Sequence, residues 1–267
     1  MGGGGVPEGD TVWMHAKRLR EVLAGRELVL TEFRVPALAT TSLAGQTVLD
    51  VVPRGKHLLT RFSGGTTLHT HLRMDGTWEI IRPRQPWPTP THQIRLVLAT
   101  TEHAAIGMRM PVVELIPTTA EDRVVGHLGP DVLADDFDRD EALRRLAADP
   151  EVEIGTALLD QRKIAGLGNM YRIEALFLEG VTPWSRVGDV DLGAIVDRSA
   201  LLIRRNLGGF SQPTTESSRP SEEHWVFERG GAPCFRCFTT IRRADQGAAP
   251  QQRVTYWCPT CQVGPSP

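Results

Sequence analysis

The chain has 267 residues, of which 40% are hydrophobic and 23% are charged, a composition that excludes an intrinsically disordered protein and suits one large domain or two smaller ones. It has no apolar run long enough to cross a membrane, and its first ten residues lack the basic and apolar regions of a secretory signal, so we expect a cytoplasmic protein. The formal net charge of −2 argues at first against a polyanionic partner, but residues 117–153 alone carry −7, whereas 1–116 and 200–267 each carry +3.

The first predicted element is an amphipathic helix over residues 11–24, capped by Asp10 or Thr11 and ended by Gly25. Short alternating or β-branched runs follow, separated by Gly and Pro, at 28–35, 47–52, 56–62, 66–71, 76–81, 93–99 and 112–116. Short strands at such regular spacing indicate a β-sandwich or barrel over residues 1–116.

The acidic segment that follows is predicted to be a linker and the exposed start of a helix, with its aspartates in water. Helical periodicity then appears at 139–148, 155–161, 169–179 and 190–207. Residues 208–224 are rich in Ser, Thr, Pro and Glu and are expected to form a mobile loop. The chain is therefore predicted to be an α+β protein with a β domain, a hinge and a helical domain that has a small cysteine-bearing end.

The four cysteines form two CxxC pairs, Cys234 with Cys237 and Cys258 with Cys261, separated by twenty residues. This spacing is typical of a structural zinc site with four thiolate ligands, whose closed coordination would leave no position for activating water. Two disulfides and a redox pair are the alternatives, which a cytosolic context and the absence of a βαβ pattern disfavour. Arginines and aromatic residues lie close to both pairs, as in zinc ribbons that bind nucleic acid.

A glycine turn lies between two predicted helices, at Gly166-Leu167-Gly168-Asn169. Its glycines would expose backbone N–H groups beside the positive end of the following helix, which attracts phosphate. Asn169 could cap that helix and also contact a phosphate oxygen. An ordinary corner between helices is the alternative, but the nearby Lys163 and the ribbon arginines favour binding to the DNA backbone.

Five segments in order carry a resemblance over about residues 7–262: Pro7-Glu8-Gly9-Asp10, RGKHLL at 54–59, HLRMDG at 71–76, GLGNMY at 166–171, and the ribbon from Arg253 to Cys261. They resemble the Fpg/Nei family of bifunctional DNA glycosylases, and look closest to its endonuclease VIII branch in actinobacteria. The resemblance implies a helix-capped β-sandwich at 7–116, an acidic linker and helix start at 117–153, a helix–two-turn–helix domain at 154–230 and a zinc ribbon at 231–262, with one structural Zn²⁺ and DNA held between the domains.

Carried over residue by residue, the resemblance makes Pro7 the nucleophile, Glu8 the acid and Lys56 the basic residue of a β-hairpin. It makes Asn169 the phosphate contact of the glycine turn and Arg253 that of the ribbon. A lesioned base must leave the stack before it can react, and inserted side chains then fill the void.

Met74 is the expected wedge in that void, assisted by Arg109 or Met110. The alternative is that Met74 is a core side chain, since methionine fills gaps readily. The Arg-Phe wedge of the family is not clearly present at 108–110, and Thr11 stands where several members carry a further glutamate.

The chemistry expected of Pro7 requires a free amine, because the nitrogen of an amide is not nucleophilic. A terminal proline attacking C1′ of the sugar would give an iminium, a permanent cation that favours strand cleavage by successive eliminations. In the printed sequence Pro7 follows Met-Gly-Gly-Gly-Gly-Val. We expect translation to start at Val6 with removal of the initiator residue; engineered glycines and a non-catalytic protein are the alternatives.

The sequence therefore predicts a DNA-repair glycosylase and abasic-site lyase acting on oxidised bases, with pyrimidines favoured over purines. The alternative is a repair accessory that binds lesions or abasic sites without cutting them, and a zinc-ribbon transcription or RNA-binding module is a distant third. We expect a monomer that binds damaged duplex DNA, with bubble and single-stranded DNA left open, and that associates with the nucleoid rather than with a membrane.

Overall fold

The computed structural model describes residues 7–83, 85–88, 90–209, 211–217, 219–249 and 252–267. The chain divides into two compact units. One is Thr11–His127, and the other is Leu128–Pro267 together with the chain up to Asp10. The acidic segment 117–153 is thus shared between the two units.

The first unit is a β-sandwich covered by the helix α1, Gly9–Leu23. Its strands are β1 Leu30–Phe33, β2 Val48–Arg54, β3 His57–Phe62, β4 Thr66–His71, β5 Thr77–Ile81, β6 Ile94–Ala99, β7 Ala104–Met108 and β8 Val112–Pro117. They form two antiparallel four-stranded sheets, in the orders β1-β6-β7-β5 and β2-β3-β4-β8.

One hydrophobic cluster joins the helix to both sheets. Buried side chains of α1, such as Leu19, pack in the same cluster as Phe62 of one sheet and Leu96 of the other. The alternation of strand residues between two faces places these side chains inward. The predicted helix-capped sandwich is therefore the observed architecture.

Two sequence-based expectations fail in this unit. Strand β7 was not predicted, because its sequence AAIGM combines small residues with a glycine and has low β-propensity. The glycine is required by packing, since a Cβ on Gly107 would lie 2.3 Å from Cδ2 of Leu96. The capping prediction for Asp10 or Thr11 is also wrong: the helix begins at Gly9, so both residues lie within its first turn.

The segment after β8 also belongs to the sandwich unit and contains one short helix, α2, at Asp122–Val125. Arg61 on β3 binds Glu121, just before that helix, through two hydrogen bonds of 2.8 and 2.7 Å. This pair ties the 118–127 segment to the sheet.

The second unit is helical, with α3 Arg139–Ala147, α4 Ile154–Ala157, α5 Asn169–Leu178 and α6 Leu192–Arg205. The predicted helix at 155–161 is thus a single turn. Asp138 and Asp191 cap α3 and α6 by accepting backbone N–H groups at 2.9 and 3.0 Å. Helix α5 is buried on all sides from Met170 to Phe177, which makes it the central helix of this unit.

A β-hairpin ends the second unit, with β9 at Arg242–Gln246 and β10 at Arg253–Trp257. Trp257 packs edge-on against Trp184, with ring centroids 4.6 Å apart. None of the helices in the described ranges is both long and apolar enough to cross a membrane.

Candidate functional site

A fully enclosed polar contact joins Glu8 to the start of α5. Glu8 is completely buried, and its two carboxylate oxygens accept hydrogen bonds from the backbone N–H groups of Gly168, at 2.7 Å, and Met170, at 2.8 Å. The first N–H groups of a helix have no partner within the helix and carry a partial positive charge, so they favour an anion. The carboxylate next to Pro7 is therefore held in a single position.

The glycine turn is shaped around this carboxylate. Gly166 has a φ of 96°, which an ordinary residue rarely adopts, and its carbonyl accepts the N–H of Gly9 at 2.9 Å. Gly168 has an extended backbone, but a Cβ there would lie 2.5 Å from Cδ of Glu8. Gly168 is thus required for space and not for its conformation.

The expected cap of α5 by Asn169 is not observed. Gly168 occupies the N-cap position, and Asn169 is the first helical residue. Its side-chain amide donates to the Val254 carbonyl at 2.9 Å, and its Oδ1 accepts from the Arg172 guanidinium at 2.8 and 3.0 Å. Because both ends of its side-chain amide are bonded to these partners, Asn169 connects α5 to the hairpin instead of capping the helix.

Arg172 completes this connection. It is fully buried and donates to Gln246 and to Thr255, both at 2.6 Å, one on each strand of the hairpin. Burial lowers the pKa of Arg172 to about 9, so three side-chain acceptors are needed to hold its charge. The glycine turn and the hairpin strand that carries Arg253 are therefore fixed to one another.

A second carboxylate lies in the same unit, at Asp10. It accepts the Tyr171 hydroxyl at 2.6 Å and the Gln212 amide at 2.9 Å, and Tyr171 in turn accepts from Asn206 at 2.9 Å. Burial, reinforced by the Asp10 charge, raises the pKa of Tyr171 well above its usual range. The hydroxyl therefore keeps its proton and remains a donor to Asp10.

The predicted loop at 208–224 is anchored to α5 through Glu174. This fully buried carboxylate accepts the backbone N–H groups of Trp225, Val226 and Phe227, at 2.8 to 2.9 Å, and the Thr214 hydroxyl. The described part of the loop is thus held at one end by a carboxylate rather than free in solvent.

Two of the predicted DNA contacts differ in their surroundings. Lys163 has only 13% of its side chain exposed, and its ammonium donates to the Arg145 carbonyl, at 3.0 Å, and to Asp149. These contacts give Lys163 a structural role within the helical unit, and its contact with DNA stays a prediction. Arg253, in contrast, is exposed on β10.

The remaining predicted site residues lie in the sandwich unit. Lys56 is half-buried in the two-residue turn between β2 and β3, where Gly55 has a φ of 57°, as type II′ hairpin turns require. Met74 is 64% exposed, so its alternative assignment to the core is wrong. Arg109 donates to the Asp75 carbonyl at 2.9 Å and supports the turn that carries Met74. Met110 is 2% exposed and belongs to the core.

The four cysteines converge at the base of the hairpin. Their sulfurs all lie within 4.8 Å of one another, and none is in a disulfide. The Cys234–Cys261 and Cys237–Cys258 sulfurs are 3.9 and 3.4 Å apart. A tetrahedral zinc with bonds of about 2.3 Å would separate its sulfurs by about 3.8 Å. The cluster can therefore hold a metal ion.

Arg172, Glu174 and Gln212 were not predicted as site residues, and Asp10 was predicted only as a helix cap and named in the first of the five segments. Arg172 and Glu174 left a usable signal, because two charged residues interrupt the otherwise apolar helix NMYRIEALFL, and charges buried in a helix need partners. Asp10 and Gln212 left none, since their contact joins positions 202 residues apart.

Comparison with known proteins agrees with this architecture. Residues 6–110 match the model of the formamidopyrimidine-DNA glycosylase N-terminal domain, and residues 128–196 match that of its H2TH domain. Among solved structures, the Lactococcus lactis Fpg (MutM) in complex with DNA containing N7-benzyl-Fapy-dG is similar to 97% of this chain and all of that one, with a TM-score of 0.80 and 23% identity. That likeness shows the shared fold.

Two curated relatives span nearly the same length. A probable endonuclease 8 2 of Streptomyces coelicolor is 49% identical, over 98% of this chain and 96% of the relative. The DNA-(apurinic or apyrimidinic site) lyase Nei2 of Mycolicibacterium smegmatis is 40% identical, over 97% and 99%. From the two domain matches and these identities, the chain belongs to the Fpg/Nei family of formamidopyrimidine-DNA glycosylases and endonucleases VIII.

Proposed function

We propose that this protein is a DNA glycosylase and abasic-site lyase that removes oxidised bases, pyrimidines in preference to purines, and cleaves the strand through a Schiff base on Pro7. The observation that carries the proposal is the position of the Glu8 carboxylate, in the residue that follows Pro7. This carboxylate is buried, and the backbone N–H groups of Gly168 and Met170 hold it in place. A fixed anion at that position would stabilise the iminium cation and return protons to the sugar oxygen.

The other predicted residues have supporting roles in this proposal. Lys56 would neutralise a phosphate or assist elimination, Met74 and Arg109 would fill and frame the void left by the flipped base, and Asn169, Lys163 and Arg253 would contact the DNA backbone. The four cysteines would hold one structural Zn²⁺, which would stabilise the hairpin without taking part in the reaction. The partner would be damaged duplex DNA bound by a monomer associated with the nucleoid in the cytoplasm.

The relatives support this proposal through their printed names, endonuclease 8 and abasic-site lyase. A protein that binds lesions without cutting them is the alternative, because Pro7 acylated by Val6 would have no nucleophilic nitrogen.

Borohydride trapping and nicking of an abasic-site duplex test the two proposals, with the 267-residue chain and a form that begins at Pro7. The enzyme proposal expects a covalent adduct and strand cleavage with the shorter form. Glu8→Gln in that form should reduce cleavage by about 100-fold or more, since it removes a charged catalytic group. The matched control is Glu21→Gln, an exposed glutamate on α1. If neither form traps or nicks, the enzyme proposal is wrong and the binding protein is favoured.

A further inference from the structure

Three histidines and a glutamate share one face of the β2-β3-β4-β8 sheet. In the antiparallel register, His57 lies opposite His71, Leu59 lies opposite His69, and His69 lies opposite Glu114. Residues that face each other across strands project to the same side of a sheet. The neighbouring residues Leu58 and Leu68 project to the other side and lie in the core, so the histidines occupy the outer face.

These side chains form a continuous hydrogen-bonded chain. The Glu114 carboxylate lies 2.6 Å from Nδ1 of His69, and Nε2 of His69 lies 2.7 Å from Nδ1 of His57. The planes of the two imidazole rings are inclined by only 19°, with centroids 5.0 Å apart, so the rings meet edge to edge as a hydrogen bond between ring nitrogens requires. His69 is 4% exposed, whereas the Glu114 side chain is 47% exposed, so the chain runs from a buried ring to a carboxylate in contact with water.

The order of donors along this chain follows from its carboxylate end. A carboxylate only accepts, so Nδ1 of His69 carries the proton, and Nε2 of a neutral His69 must then accept. His57 therefore donates from Nδ1, which leaves a lone pair on its own Nε2. His71 has the opposite tautomer, because its Nδ1 accepts the N–H of Arg73 at 3.0 Å.

The groups around His57 favour its neutral form. His71 lies edge-on with its ring centroid 4.7 Å away, His127 lies at 6.2 Å, Arg54 is opposite in the β2–β3 register, and Lys56 is the preceding residue. Burial, and then the positive neighbours, lower the pKa of His57 to about 3, and burial followed by Lys56 lowers that of His71 to about 4. A proton accepted by His57 must therefore be passed on.

We propose that His57, His69 and Glu114 form a proton relay for the elimination step in which Lys56 is proposed to assist, with His69 and Glu114 as positioning residues. The inference rests on the proposed lyase function. Elimination at an abasic sugar breaks a C–H bond, whose electron pair forms the new double bond as the phosphate leaves, so it releases one proton.

The relay balances that proton without any change of oxidation state. One proton enters at Nε2 of His57, the Nδ1 proton of His57 moves to Nε2 of His69, and the Nδ1 proton of His69 moves to Glu114 and then to water. Because each ring passes on a proton as it receives one, His57 does not have to keep the positive charge that its surroundings disfavour.

The test uses the form that begins at Pro7, with single-turnover cleavage of a preformed abasic-site duplex followed between pH 5 and 9. Glu114→Gln keeps an oxygen acceptor for His69 but removes the charge. Cleavage should slow by about tenfold or more while the yield of borohydride adduct changes less than about twofold.

The matched control is Glu79→Gln, an exposed glutamate on β5 of the other sheet, which should cleave like the wild type. His69→Gln should slow cleavage to a similar extent, and the double variant with Glu114→Gln should be no slower, because both changes interrupt one chain. A wild-type cleavage rate in Glu114→Gln would overturn the relay, as would a parallel loss of adduct and thermal stability.

Nitrogen NMR of the histidine side chains in the full-length chain tests the relay whether or not the protein traps DNA. The relay requires a neutral His57 protonated on Nδ1 at pH 7. The opposite tautomer or a charged ring would overturn it. Absence of a borohydride adduct with the unsubstituted form that begins at Pro7 would instead refute the proposed function.

Discussion

Two glutamates of the helical unit and two glutamates of the sandwich unit are held by different kinds of hydrogen-bond donor. In the helical unit, Glu8 and Glu174 accept backbone N–H groups, two and three respectively. In the sandwich unit, Glu121 is held by Arg61 and Thr67, and Glu114 by His69. A backbone N–H donor does not change its protonation state and cannot rotate away. A side-chain donor can rotate away, and a histidine donor can also change its protonation state. The first arrangement therefore fixes the position of the carboxylate, and in the second the position of the carboxylate depends on the state of its side-chain partner.

The largest effect expected from this comparison is at Glu174. Glu174→Ala would leave three buried N–H groups and the Thr214 hydroxyl without their acceptor, and should lower the free energy of unfolding by about 3–5 kcal/mol. Urea unfolding followed by circular dichroism measures this change. Glu179→Ala, which removes a partly exposed ion pair with Arg198 at the end of the same helix, should cost less than about 1 kcal/mol. Equal losses of unfolding free energy in Glu174→Ala and Glu179→Ala would contradict the distinction between backbone and side-chain donors.

A smaller effect with a clear pH dependence is expected at Glu121. Hydrogen bonding from Arg61, against a smaller opposing effect of burial, holds the pKa of Glu121 below its usual value near 4.5. A lowered pKa contributes stability that is present above pH 4.5 and is lost as the pH falls through the folded-state value. Glu121→Gln should therefore cost about 1–2 kcal/mol at pH 7, and its unfolding free energy should depend less on pH below 4.5 than that of the wild type.

Thermal unfolding between pH 2.5 and 7 gives that comparison directly. Arg61→Ala combined with Glu121→Gln should be less destabilised than the two single changes added together, because they remove one interaction. A pH dependence unchanged by Glu121→Gln would show that the pair does not titrate with folding.

The smallest effect on stability is expected at Met74. Since its side chain is 64% exposed, Met74→Ala should change the free energy of unfolding by less than about 0.5 kcal/mol. If Met74 fills the void of a flipped base, the same variant should bind an abasic-site duplex about tenfold more weakly, by fluorescence anisotropy. Leu49→Ala, at a side chain 58% exposed on β2, is the matched control and should bind normally. Equal affinities for the two variants would contradict the wedge.

The architecture was predictable from the sequence where local patterns carry the information. Seven of the eight strands in the sandwich followed from alternation and from Gly and Pro between them, and the two CxxC pairs indicated the cysteine cluster. The strand at Ala104–Met108 was missed because its packing depends on the absence of a side chain at Gly107, which leaves room for Leu96. A pattern of hydrophobicity along one strand does not indicate which side chain of a neighbouring strand will occupy the space beside a glycine.

The candidate site was predictable only in part. The sequence selected Glu8 and the glycine turn as separate features, and the structure joins them through hydrogen bonds 160 residues apart in sequence. It assigned Asn169 to the cap of α5, whereas Gly168 occupies that position and Asn169 binds the hairpin. Such contacts depend on which chain segments meet, and no spacing rule within a single segment contains that information.

The space that Gly168 leaves for Glu8 has a consequence for genetic variation in this protein. A single added methyl group at position 168 would occupy the volume of the carboxylate and displace an acidic side chain that lies far away in sequence. Alanine there would be scored as a mild substitution by any scale of residue similarity, yet it would reproduce the loss of Glu8. Inactive alleles should therefore be found at a residue that carries no chemical group at all.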